Sequence, residues 1–131
     1  MKDASKQVTK ALPNASANNN TNTIDLGVER PFDSKFRLAY VLVSVPALTD
    51  HVDSTKSDTF VMQDSADDSS YANTNPAITC SVPGVASTGS LATTFKVPLP
   101  PGVRRYVQFT QTVPSGGGTG SNATVTYDLV T

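Results

Sequence analysis

From Thr23 onward, apolar and polar residues alternate with a period of two, and proline and glycine interrupt the alternation at short intervals. A strand sends successive side chains to opposite faces, so this pattern describes a half-buried strand, not an amphipathic helix. The cleanest case is the last: Ala123, Val125, Tyr127 and Leu129 against Asn122, Thr124, Thr126 and Asp128. Ile24, Leu26 and Val28 repeat it, as do Phe60 and Met62 within 59–63, and Ile78, Cys80 and Val82. Phe95, Val97 and Leu99 form another apolar face, and Val103, Val107, Phe109 and Val113 share the next. Leu38 to Val45 is nearly continuous apolar, which predicts a central strand covered on both sides. Pro31, Pro46, Pro83-Gly84 and the Pro98 to Gly102 run end these segments. The pattern predicts seven or eight strands and no long helix. The expected fold is all-β, an antiparallel β-sandwich over residues 23–131, either jelly-roll or immunoglobulin-like. The chain has one cysteine and no tryptophan, so the Cys…Trp…Cys arrangement of an immunoglobulin domain is missing. Spacing alone leaves the strand order open.

Residues 1–22 read differently. ALPNASANNNTN is polar and built of small residues, with Asn18, Asn19 and Asn20 in a row. Such a stretch buries too little apolar area to offset the entropy of ordering it. Ala4, Val8 and Leu12 recur at four-residue spacing, with Lys2, Lys6 and Lys10 beside them, and Pro13 ends any helix there. A helix that short is unstable alone, so the segment is expected to be a flexible N-terminal arm that orders on a partner.

Composition narrows the function. Ten basic and eleven acidic residues give a net charge of −1, which leaves no electrostatic footprint for nucleic acid. Charged residues make up only 16%, and Thr and Ser together supply about a quarter of the chain. No apolar run approaches the ~20 residues that cross a bilayer, so no membrane partner is expected. The opening MKDASKQVTK lacks the apolar segment of a signal peptide, and a cytosolic place of synthesis is the simplest account.

The inventory for chemistry is thin, and no catalytic residue, metal site or cofactor is expected. His51, the only histidine, lies between Asp50 and Asp53 and reads as a solvated loop residue. No G-x-S-x-G elbow accompanies it. Asp64, Asp67 and Asp68 resemble part of a calcium loop, but the turn glycine and distal glutamate are absent, so a hydrogen-bonded turn is expected. Cys80 shares a face with Ile78 and Val82 and reads as a buried thiol. One Cys and one His cannot furnish a zinc set. Ser115 to Gly120 lacks the lysine of a phosphate loop and reads as a hairpin tip. Arg104 and Arg105 are expected to point to opposite faces of a strand, each in an ion pair or at a subunit contact. A chain without a reactive cluster suits a structural or binding role. The residues assigned to such contacts are Lys2, Lys6, Lys10, Asn18, Asn19, Asn20, Arg104, Gly116, Gly117 and Gly118.

Three segments carry a family resemblance: Asn22-Thr23-Ile24-Asp25-Leu26-Gly27, Phe60-Val61-Met62-Gln63-Asp64-Ser65, and the run from Val97 to Gln108. In this order the chain resembles the cement (decoration) proteins of tailed bacteriophages, of the Bordetella phage type, over roughly residues 22–131. The resemblance implies a jelly-roll on the outer surface of the capsid in the virion. It implies a non-enzymatic clip joining neighbouring subunits of the major capsid protein, commonly as a homo-dimer, with a trimer also open. The rival expectation is a carbohydrate- or receptor-binding sandwich, for which Tyr71 and Tyr106 are the available aromatic platforms. A secreted hydrolase or adhesin fragment is a third reading.

Overall fold

The computed structural model describes residues 2–27, 39–100, 102–118 and 123–130. The sequence expectations at Val28, Pro31, Leu38, Pro101, Thr119, Gly120 and Asn122 lie outside these residues. The described chain forms strands β1 (Lys2–Ala11), β2 (Ala17–Asn20), β3 (Ile24–Asp25), β4 (Tyr40–Val45) and β5 (Ser57–Ser65). It continues with β6 (Ala72–Asn73), β7 (Thr79–Pro83), β8 (Thr93–Pro98), β9 (Tyr106–Val113) and β10 (Thr124–Val130).

Two antiparallel sheets pack face to face. The first runs β1-β10-β4-β8. The second runs β2-β9-β5-β6, with β3 also on β9 and β7 also on β5. β2 lies along Thr110–Val113 and β3 along Tyr106 and Val107, so both share one edge of β9. β6 and β7 share the far edge of β5 in the same way. The chain therefore crosses repeatedly between sheets: β1 in the first, β2 and β3 in the second, β4 in the first, β5 to β7 in the second. β8, β9 and β10 continue the exchange.

The apolar half of each alternating pattern fills the space between the sheets. Val41, Val43, Val125, Tyr127 and Leu129 of the first sheet meet Phe60, Met62, Val107 and Phe109 of the second, all essentially without solvent contact. The Phe109 and Tyr127 rings stack across the interior with centroids 4.7 Å apart. Tyr127 Oη donates to Gln111 Oε1 at 2.6 Å, and Gln111 Nε2 donates to Asn19 Oδ1 at 2.9 Å and to the Ala11 carbonyl at 3.1 Å. This chain of bonds fastens the β1–β2 corner to both sheets.

Residues 1–22, expected as a flexible arm, require a correction. β1 pairs along β10, β2 pairs along β9, and Leu12 between them is a core residue, 2% exposed. Both are edge strands. An edge strand needs hydrogen bonds on one side only and can carry polar side chains outward, so its composition mimics that of an unfolded tail. β4 is also corrected: its side chains alternate between buried and half-buried, so only one face is fully covered.

Candidate interaction surface

The outward half of the second sheet's pattern is as regular as the inward half. The strand registers align it in rows. Asn18, Thr112, Thr59 and Ser81 form one row, and Asn20, Thr110, Val61 and Thr79 the next. Gln108, Gln63 and Asn73 form a third. None of these side chains is ionisable. Gln108 Nε2 donates to Gln63 Oε1 at 2.9 Å, and Gln63 Nε2 donates to Asn73 Oδ1 at 3.3 Å. Thr110 Oγ1 lies 2.8 Å from Asn20 Oδ1 and 3.1 Å from Gln63 Oε1, so one hydroxyl proton serves two acceptors. These bonds run across four strands and hold the amides in fixed planes. Each primary amide has two donors and a two-lone-pair acceptor, so it retains capacity for an outside partner.

Charge appears where the face ends, in the row Asp25, Tyr106 and Ser65. Arg105 Nε and Nη2 donate to the two oxygens of Asp25 at 2.9 and 3.1 Å. That pairing, with the Gly27 amide, lowers the Asp25 carboxyl to about 2. The Arg105 guanidinium also sits 5.0 Å from the centre of the Tyr106 ring. Arg104 Nε and Nη2 donate to Asp64 Oδ1 at 3.2 and 2.8 Å, and its backbone amide donates to Oδ2 at 3.0 Å. Both arginines are thus in ion pairs. They precede β9, which begins at Tyr106, so the expected strand alternation does not apply to them. Tyr71 Oη bonds Asp68 and Thr23 Oγ1, and its hydroxyl is raised to about 12, chiefly by burial.

The acidic turn is as expected. Asp67 Oδ1 accepts from Ser65 Oγ and from the amides of Ser69 and Ser70, and these bonds lower its carboxyl. No group of three potential ligands for a metal ion occurs among the described residues. Cys80 is buried, which pushes its thiol up.

The residues expected at subunit contacts are dispersed. Lys2 pairs in register with Val130. Lys6 and Lys10 share the side of β1 that carries Val8, and Lys6 Nζ donates to the Asp25 carbonyl of the opposite sheet. Asn18 and Asn20 point outward, whereas Asn19 turns in to the Ala11 carbonyl and Gln111. Arg104 lies at one end of the sandwich. Gly116, Gly117 and Gly118 lie at the other, in a turn closed by Gly117 N donating to the Pro114 carbonyl at 2.9 Å. Only Asn18 and Asn20 fall on the uncharged face. Thr59, Gln63, Asn73, Gln108, Thr110 and Thr112 were missed. Their signal was present in the polar positions between the apolar ones, but aligning them needs the strand register.

His51, expected to be solvated, is corrected. It is 0% exposed, and Nε2 donates to the Val82 carbonyl at 2.9 Å. The loop carrying it turns at 48–51, where the His51 amide donates to the Leu48 carbonyl at 3.1 Å, and is tied to a second loop by the Val85 amide donating to the His51 carbonyl at 3.0 Å.

No family model matches the chain, and no curated protein matches it.

Proposed function

We propose that this chain is a non-enzymatic structural protein of a phage virion. It binds the outer surface of the capsid and joins neighbouring subunits of the major capsid protein. The observation that carries the reading is the uncharged amide and hydroxyl face, aligned in rows across the second sheet and backed by the packed core. Such a face forms a wet interface of many modest hydrogen bonds, and many copies bound across several subunits gain by avidity. The alternation of strands between sheets supports a jelly-roll, whose two Greek keys make that exchange. The three segments of the family resemblance also adjoin one another, through Asp25 beside Tyr106, Gln63 beside Gln108, and Asp64 bonded to Arg104. His51, the one imidazole, is buried and bonded to the Val82 carbonyl. The aromatic platforms that a glycan reading needs are engaged, Tyr106 by Arg105 and Tyr71 by Asp68 and Thr23.

The test mixes purified protein with undecorated capsids and measures binding and capsid melting. Binding with a higher melting temperature is expected, and the reading fails if neither occurs. Thr110→Lys places a charge at the centre of the face without touching the core. It should weaken capsid binding about tenfold or more, equivalent to ~1.4 kcal/mol, while far-UV circular dichroism stays unchanged.

A further inference from the structure

At the end of the sandwich opposite the arginines, a carboxyl group is buried without a hydrogen-bond partner among the described residues. Asp58 points inward from β5 and is 1% exposed. Neither of its oxygens has a hydrogen-bond partner among the described residues. The nearest basic group is His51, with Nε2 3.8 Å from Oδ1. That nitrogen donates its proton to the Val82 carbonyl, because a carbonyl only accepts. His51 therefore stands beside Asp58 without bonding it, and His51 Nδ1 also lacks a partner among the described residues.

The cover over this pair is made of loops. Residues 46–56 lie against 84–90 and 114–118. Gly89 and Gly118 have positive φ, and a Cβ on them would come within 2.2 Å of the Leu48 carbonyl and 2.6 Å of the Asp50 carbonyl. The cover is held by a few backbone bonds between loops, Gly84 N to Lys56 O, Val85 N to His51 O and a reciprocal pair between Leu48 and Ser90, and by the buried Leu48 side chain. β5 itself is held by full ladders to β7 and β9. Hydrating Asp58 thus requires opening the cover, not the sheets, and local opening costs less than global unfolding.

We propose that Asp58 and His51 form a proton-controlled latch: a proton on Asp58 keeps the 46–56 loop closed over this end, and its loss releases that loop together with 84–90.

The surrounding groups favour this behaviour. Burial pushes the Asp58 carboxyl up to about 6; His51 acts in the opposite direction, and the charge of Asp50 adds to the rise. Asp53 and Lys56 lie further along the same loop. Of the other titratable groups in the core, Cys80 of β7 lies on the inner face beside Val82 and Tyr127 comes from the opposing sheet. The 84–90 and 114–118 segments contribute no titratable side chain. Because the closed-state value lies above the ordinary 3.8, closure is strongest below 3.8 and weakens as pH rises through about 6.

Hydrogen exchange on the full-length chain, corrected for the intrinsic pH dependence of exchange, tests the latch at the amides of Val85 and Ser90. Between about pH 5 and about pH 7.5 their protection should fall roughly tenfold if opening restores the ordinary carboxyl value. β9 amides should show no comparable drop. Asp58→Asn should remove the fall in protection with rising pH. Protection that stays flat in the wild type, or falls equally in Asp58→Asn, overturns the proposal. If that variant does not fold, an NMR titration of Asp58 in the wild type decides: a midpoint near 6 supports the latch, and one near 4 overturns it.

Discussion

Gln111 is fully enclosed yet polar, and its role follows from its bonds. Its amide meets Tyr127, Asn19 and the Ala11 carbonyl, so one side chain joins β10, β2 and the end of β1. A satisfied buried polar group adds little net stability, whereas its deleted partner leaves others stranded. Gln111→Ala should therefore cost about 2–4 kcal/mol, from orphaned partners and a cavity together. Tyr127→Phe, which removes one hydroxyl and leaves the ring stack, should cost only ~1–2 kcal/mol. Urea unfolding measures both, and a smaller loss for Gln111→Ala than for Tyr127→Phe would contradict this account. Legibility differed among residues at this scale. Phe60, Met62, Val125 and Tyr127 were readable as core because burial follows a period of two along one strand. Buried His51 was not readable, because its burial comes from loops distant in sequence closing over it. Gln111 escaped notice because a lone amide on an apolar face looks like a break in the pattern.

Among the elements, β1 and β2 depart furthest from the sequence expectation, and the reason is general to edge strands. Their backbone bonds to β10 and β9 come from the partners' sequences, which no local pattern records. Central strands such as β5, β9 and β10 carry their identity in their own apolar alternation, so they were legible. The strand order was not, since hydrogen bonding between strands far apart in sequence decides it. A consequence concerns truncation. Removing residues 1–12 deletes β1 and Leu12 and leaves β10 with an open edge. Cooperative unfolding should be lost or shifted by several kcal/mol, since Leu12 alone is a core side chain worth roughly 2–5 kcal/mol. Calorimetry of the truncated chain checks this. An unchanged transition would restore the arm reading.

For the whole molecule, the two ends of the sandwich have different characters. One end holds its charges in ion pairs, Arg105 with Asp25 and Arg104 with Asp64. The other buries the carboxyl group of Asp58 without a hydrogen-bond partner among the described residues. Between them lies a face with no ionisable side chain among the described residues, and this difference has a practical reading in electrolyte solutions. Dissolved ions largely screen attraction between exposed charges more than roughly 10 Å apart at 0.1 M, but they have nothing to shield on Asn20, Thr110 or Gln63. Adhesion through that face should survive molar sodium chloride, whereas a grip through the arginine end should slacken steadily as ionic strength climbs.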